Sequence, residues 1–316
     1  MIARRALLIL PLFAATARAQ AAPRRLGALL LTDRAEVLMR AHLLPELARR
    51  GWRDGQNLTL DVRIAPALAQ SMAAAALVAA APDLMVAVGA PAVRAAREAT
   101  ASIPIVMHGA DARLLADTSM ARPGGNATGI VANTPQAEGK RIEIAVELTP
   151  PGTPLAALFH RGTDSLAPRL AAMEAAARQA GRALVVQEWD GSGGVAAAVA
   201  ALAARGVRGA ALGGTPESLR DARAIAAAAR GARIATIGQW RSMVEDGCTA
   251  SHGPDFHALY ARVAHFAALI LRGTPAGELP IEAPLRVETV LDARAAGALG
   301  IAIPVALLAR ADEVIE

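Results

Sequence analysis

Cysteine, lysine and aromatic residues are nearly missing from this chain of 316 residues. Cys248 is the single cysteine, which excludes an intramolecular disulfide and any cysteine-built metal cluster, and its thiol is expected to be buried and inert. Lys140 is the single lysine, so arginine supplies all the other basic residues. That imbalance reflects a coding bias toward Ala and Arg. The arginines are scattered without a basic run, so the net charge of +5 and the pI of 10.7 do not point to nucleic acid. Aromatic residues make up 3% and charged residues 19%, against 54% hydrophobic, much of it Ala. This composition excludes wholesale disorder and suits many short helices packed closely on sheets. The length makes two domains the natural expectation.

Catalytic signatures are also missing. The chain has no G-x-S-x-G elbow, no Walker A loop and no H-E-x-x-H helix, and no Gly-x-Gly-x-x-Gly turn follows the first apolar run. His252, His257 and His265 lie close in sequence, with Asp255 nearby, but two helical turns between His257 and His265 are too many for joint ligation. They read as surface or packed histidines. Glu143 and Glu147 share a helix face and read as a solvated face. The sequons at Asn57 and Asn126 carry little weight in a chain of bacterial composition. No enzyme chemistry, metal or cofactor is expected.

What is present begins at the N-terminus. Arg4 and Arg5 precede an apolar stretch from Ala6 to Ala15, and Ala17-Arg18-Ala19 supplies a small-x-small cleavage pattern before Gln20. An apolar run of about 10 residues is too short to span a bilayer, and no later stretch is long and apolar enough. Residues 1–19 are therefore expected to be a cleaved signal peptide, with ordinary secretion preferred over twin-arginine export and a periplasmic destination. Its removal takes Arg4, Arg5 and Arg18, and the net charge falls to +2.

From Leu26 onward short apolar runs alternate with Ala/Leu/Arg segments at helical spacing. Strands are expected at Leu26–Leu31, Leu58–Ile64, Leu84–Val88 and Ile103–Met107, with helices at Ala35–Arg50, Pro66–Ala80 and Pro91–Ala99 between them. Residues 122–129, rich in Gly, Pro and Asn, read as a joint. The rhythm then restarts with helices at Glu138–Leu148, Leu166–Ala180, Val195–Ala204 and Pro216–Ala229, and strands at Leu155–Phe159, Ala183–Gln187, Gly209–Leu212 and Ile234–Ile237. A long helix at Asp255–Arg272, an extended piece at Glu278–Pro284, a strand at Val287–Leu291 and helices at Ala293–Leu299 and Pro304–Val314 close the chain. The fold class is α/β: two Rossmann-like lobes with parallel sheets, joined by a multi-segment hinge. Residues 24–129 with about 253–284 are expected to form one lobe, and 130–252 with about 285–316 the other.

Ligands of open α/β sheets sit beyond the carboxyl ends of the strands, so two such lobes face to face line one cleft. Polar and small residues recur at those ends. The candidates are Thr32 and Asp33, Gly89 and Ala90, and Asp111 in the first lobe. In the second they are Arg161 and Thr163, Gly214 and Thr215, Gln239 and Trp240. Small residues let backbone amides approach a ligand, and Trp240 can stack on an apolar part of it. An acidic residue among Asp33, Asp111 and Asp255 would pair with a cationic group, and Arg161 with a carboxylate.

The second half resembles a known family, the ABC-transporter substrate-binding proteins that include the tryptophan-type binding proteins of Gram-positive bacteria. The likeness rests on residues 121–129 (ARPGGNATG), Gly139-Lys140-Arg141, residues 250–255 (ASHGPD) with His252 where the family usually has Tyr, and the C-terminal segments 298–304 and 308–315. The resemblance implies a type I periplasmic-binding-protein fold, capture of a small-molecule solute between the lobes, and delivery to a membrane permease and ATPase. It adds His252 and Asp255 to the candidate cleft residues. A monomer without nucleic-acid partners is expected. Presentation of a bound solute to a membrane receptor, and a secreted enzyme on the same fold, are the alternatives.

Overall fold

The computed structural model describes residues 22–110, 119–131, 135–163 and 166–316. The expected signal peptide and Asp111 lie outside the described residues. The chain opens with β1 (Arg24–Leu30), α1 (Asp33–Arg49), β2 (Leu58–Ile64), α2 (Gln70–Ala79), β3 (Leu84–Val88), α3 (Ala90–Ala99), β4 (Ile105–Ala110) and β5 (Ala127–Val131). It continues with α4 (Pro135–Glu147), β6 (Leu155–His160), α5 (Leu166–Gln179), β7 (Leu184–Trp189), α6 (Val195–Ala204), β8 (Gly209–Leu212), α7 (Pro216–Gly231), β9 (Ala235–Gly238), α8 (Arg241–Glu245) and β10 (Ala250–Pro254). Helix α9 (Phe256–Leu271), β11 (Ile281–Glu282), β12 (Val287–Asp292), α10 (Ala293–Ala298), α11 (Val305–Leu308) and β13 (Glu313–Ile315) complete it.

Among the described residues these strands form two sheets. A six-stranded sheet has the order β11-β5-β4-β3-β1-β2, and a seven-stranded sheet the order β13-β12-β10-β9-β8-β6-β7. Every pairing is parallel except β10 with β12. Both faces of each sheet are covered by helices, as parallel sheets require. The central strands β3 and β8 are buried along their whole length. Between described strands the chain passes from one sheet to the other three times: after β5, after β10, and between β11 and β12. The second and third crossings touch, because the Asp255 amide donates to the Arg286 carbonyl at 3.3 Å.

Helix α9 shows how the lobes interleave. It follows a strand of the second sheet but lays Leu259, Tyr260, Val263 and Phe266 into the core of the first, against Leu26, Leu30, Met39 and Leu43. Burying one such large side chain contributes about 1.5–3 kcal/mol. Asp255 starts the helix by accepting from the His257 and Ala258 amides, at 2.7 and 3.3 Å.

Helix α8 and strand β10 fill a stretch to which the sequence reading assigned no element, and two further elements depart from it. Strand β5 lies in the segment read as a joint. Gly129 has φ +138°, and a Cβ there would stand 2.2 Å from the Met107 carbonyl oxygen, so the glycine permits close strand pairing where composition signalled a turn. At the C-terminus a helix through Val314 was expected, but α11 stops at Leu308 and residues Glu313–Ile315 form β13 beside β12. Tertiary contacts override helical spacing there: Asp312 accepts from the Thr289 amide at 2.8 Å, and Glu313 pairs with Arg241 at 2.7 Å.

Candidate functional site

The carboxyl ends of β1, β3 and β4 in one sheet face those of β6, β7 and β8 in the other across a chamber of about 530 Å³. That volume lies in the range of small-molecule sites. Its first-lobe wall carries Leu31, Pro66, Ala67 and Leu68, then Gly89, Ala90 and Pro91, then Gly109. Its second-lobe wall carries His160 to Thr163, Arg169, Asp190 and Gly191, and Gly214 to Glu217 with Arg220. Helices α3 and α7 both begin at the chamber, so two sets of N-terminal amides and two positive dipole ends lie beside it. Gly89 has φ +88°, and a Cβ there would meet Pro216 Cγ of the other lobe at 3.1 Å. The lobes are thus in contact at this point.

A second, inner chamber of about 40 Å³ adjoins the first through Gly89, Gly109, Gly214 and Pro216. Its polar and aromatic lining is His108, Trp240, Phe256 and Tyr260, and the rest is small or aliphatic. The His108 ring stacks on Tyr260 at 4.3 Å between centroids, and Trp240 stacks on Phe256 at 5.2 Å. His108 is 4% exposed, and its ring meets no other residue's group at hydrogen-bond geometry, only its own backbone. Trp240 Nε1 is buried without a partner. Burial pushes the His108 imidazole down to about 4, so it is neutral at pH 7.

The charged groups belong to the outer chamber, and its arginines are already paired. Arg161 holds Asp190 at 3.1 Å. Arg220 donates to Asp221 at 2.8 and 2.7 Å, and Asp221 also accepts from Trp189 Nε1 at 3.0 Å and Ser192 Oγ at 2.7 Å. Those bonds outweigh the desolvation of Asp221 and hold its carboxyl below the ordinary value. Arg169 reaches Glu138 at 2.8 Å, and Glu138 pairs with Arg141 as well. This triad is buried under the second-lobe wall.

The structure brings together Gly89, Ala90, Arg161, Thr163, Gly214 and Thr215 around the outer chamber, and Gly89, Gly214 and Trp240 around the inner one. Thr215 caps α7 by accepting from the Ser218 amide at 3.1 Å, and Thr163 Oγ1 donates to the His160 carbonyl at 2.6 Å. Among the described residues the remaining candidates line neither chamber. Thr32 is the N-cap of α1, accepting from the Ala35 amide at 3.2 Å, and Asp33 is the first residue of that helix. Asp255 is occupied in capping α9, and Gln239 is buried after β9. His252 lies in β10, where Nδ1 is 2.8 Å from Thr289 Oγ1 and its carbonyl accepts from Arg141 at 3.0 Å. Asp111 lies outside the described residues.

Sequence reasoning gave no site role to Phe256 or Tyr260, and reached His108 only as the first residue of the segment 108–111 after the fourth expected strand. The signal was there: two of the chain's few aromatics stand four apart on α9, directly after a strand-to-helix turn, and His108 lies in the C-terminal half of the buried strand β4. Cys248 is fully buried, and burial pushes its thiol up to about 12. Among the described residues no group of three His, Cys, Asp or Glu side chains is placed to hold a metal, and no helix is long and apolar enough to cross a membrane.

A family model described as ABC transporter substrate binding protein matches residues 34–315. The chain belongs to that family. No curated protein matches it. Among solved structures, this substrate-binding protein is similar to a conserved domain protein from Vibrio cholerae at 26% identity and TM-score 0.84, covering 92% of this chain and 99% of that one. It is also similar to an ABC domain in complex with L-Trp from Streptococcus pneumoniae, at 22% identity and TM-score 0.83, covering 93% and 100%. A ligand-free, open substrate-binding protein with adhesive properties from Clostridium difficile aligns at 19% identity and TM-score 0.65, covering 92% and 99%. The architecture is the type I periplasmic-binding-protein fold.

Proposed function

We propose that the protein is the periplasmic receptor of an ABC importer, exported by its signal peptide, which captures a small polar or aromatic, amino-acid-like solute between its lobes. The lobes divide near residues 129, 253 and 285, and the segments there form the hinge. Loaded protein docks as a monomer on the permease and ATPase subunits and performs no chemistry of its own. The observation that carries this reading is the chamber of about 530 Å³ walled by strand ends from both sheets. A solute touching both walls binds the closed form better than the open one and shifts the population toward closure.

The chamber offers Arg161 and the α3 and α7 N-termini to a carboxylate or another acceptor-rich group, and an aromatic wall inside to a planar part. The L-Trp held by the similar Streptococcus pneumoniae structure makes aromatic amino acids the first solutes to try. The test is a thermal-shift screen of residues 20–316 against amino acids, aromatic acids, nucleosides and small amides. A ligand at a hundred times its dissociation constant should add about 2.7 kcal/mol of stability, a visible rise in melting temperature. One class of hit, with no product formed on incubation, supports the receptor reading. Turnover of a hit, or silence across all classes, counts against it.

A further inference from the structure

The two walls of the outer chamber differ in kind. Among the described residues the first-lobe wall carries no polar side chain, only Leu31, Pro66, Ala67, Leu68, Pro91 and small residues. The charged side chains of the lining all belong to the second lobe: Arg161, Arg169, Asp190, Glu217 and Arg220. Pairing sorts these five. Arg161 and Asp190 hold each other at 3.1 Å with 65% and 66% of their side chains exposed, so water screens them. Arg220 stands one turn after Glu217, the usual spacing for an ion pair on a helix, but forks onto Asp221 at 2.8 and 2.7 Å instead. Glu217, half-buried at the second position of α7, is left without a hydrogen bond or ion pair to any described residue.

The opposite surplus lies at Arg169. Its Nε donates to Glu138 at 2.8 Å, its Nη2 reaches the same oxygen, and Arg141 takes the other oxygen. Two guanidinium groups thus share one carboxylate in a nearly fully buried cluster, and among the described residues no second carboxylate joins them. Arg169 is the member that lines the chamber, and its Nη1 is neither bonded to a described residue nor sealed from solvent. A carboxylate arriving there supplies the missing counter-charge, where burial strengthens the bond. Arg169 and Glu217 stand on helices that follow β6 and β8, paired parallel strands about 4.8 Å apart.

We infer that the second lobe reads both charged ends of a zwitterionic solute, Arg169 receiving its carboxylate and Glu217 its ammonium group, while the apolar first-lobe wall closes over the rest. This rests on the receptor reading and names the residues that select the solute. A carboxylate at the start of α7 also suits the helix dipole. That role exists with or without a solute, so the test reads selectivity and not stability alone.

Calorimetric titration of the full mature chain with the common amino acids, β-alanine and 4-aminobutanoate, and with nicotinamide and adenosine as uncharged controls, tests the inference. The strongest amino-acid binder is then compared with the amine that lacks its carboxylate and the acid that lacks its amino group. Each truncation should weaken binding about tenfold or more. Glu217→Gln should weaken the amino acid by about the same factor and leave the truncated acid unchanged, so that the two bind alike. Arg169→Gln should do the converse, bringing the amino acid down to the truncated amine. Because Arg169 also ties α5 to Glu138, the melting temperature of that variant is measured alongside, and the Glu217→Gln series decides if it does not fold. A truncated form that binds as tightly as the amino acid overturns the inference, as does a Glu217→Gln effect that is absent or equal for the amino acid and the truncated acid. So does binding of nicotinamide or adenosine while no amino acid binds, although that result leaves the receptor reading standing. Silence from every probe overturns both.

Discussion

At the scale of the residue, a neutral histidine locked in an apolar core makes stability depend on pH. His108 titrates near 4 in the folded protein because burial penalises its charged form, against an ordinary value of 6.5. Between those values the unfolded chain binds a proton that the folded chain refuses, so stability is complete above pH 6.5 and falls as the pH drops toward 4. The gap amounts to about 3 kcal/mol at most. His252 is pushed down to about 4 as well, first by burial and then by the Arg141 and Lys140 charges, and acts in the same direction. Urea midpoints should therefore fall from pH 7 to pH 4.5, and His108→Phe should flatten that slope. A midpoint independent of pH in the unaltered protein would contradict the assignment of His108 as buried and neutral.

At the scale of the element, helices α4 and α5 are tied together by charge as well as by packing. Glu138 on α4 accepts from Arg169 on α5 and from Arg141 on its own helix, and all three are nearly fully buried. Burial alone would raise the Glu138 carboxyl, but the two guanidinium groups outweigh it and hold the pKa below the ordinary 4.5. Removing one member of such a cluster leaves uncompensated charge in the core. Glu138→Gln should destabilise the protein by about 3–5 kcal/mol in chemical denaturation, whereas Glu143→Gln on the exposed face should cost under about 0.5. Equal effects would show that the triad is not the tie between these helices.

Elements of this kind were legible in the sequence to different degrees. The alternation through β1 to α3 and through β6 to α7 could be read because buried parallel strands leave short apolar runs between helix-spaced segments. Strand β5 could not, because Gly129 answers to the Met107 backbone across the sheet, and no local pattern records that contact. Helix α9 was read as an element of the first lobe, but which strands its side chains pack against comes from topology. The site divides in the same way. Strand-end residues such as Gly89, Arg161 and Thr215 announce themselves by position. Thr32 and Asp255 occupy equivalent positions but cap helices, which any α/β protein demands. His108 and Tyr260 meet only because a helix made late in the chain returns to an early strand.

At the scale of the whole molecule, closure is held by contacts that cross the cleft. Arg34 at the start of α1 pairs at 2.6 Å with Asp246, which follows α8 in the other lobe and is also held by Arg223 at 3.1 Å. This pair exists only while the lobes face each other, so it biases the molecule toward the closed form. Arg34→Ala should weaken solute binding about fivefold, equivalent to about 1 kcal/mol, and enlarge the solution radius of the unliganded protein. Titration and X-ray scattering measure the two effects. An unchanged radius together with unchanged affinity would remove the pair from any account of closure.

The three crossings also set the order in which a growing chain can finish folding. A nascent polypeptide that has emerged as far as Val131 carries β1 to β5 but lacks α9, whose Tyr260, Val263 and Phe266 complete the first core. The hydrogen bond from Arg272 to the Arg50 carbonyl closes a loop of 222 residues, and the strand that covers the β5 edge is made later still. Loops of that length are slow to close, and a sheet face waiting for its helix is exposed to aggregation. The half synthesised first must wait for residues 256–282, and the second sheet closes later still with β12 and β13, which keeps the early chain open and threadable until the ribosome has nearly reached its end.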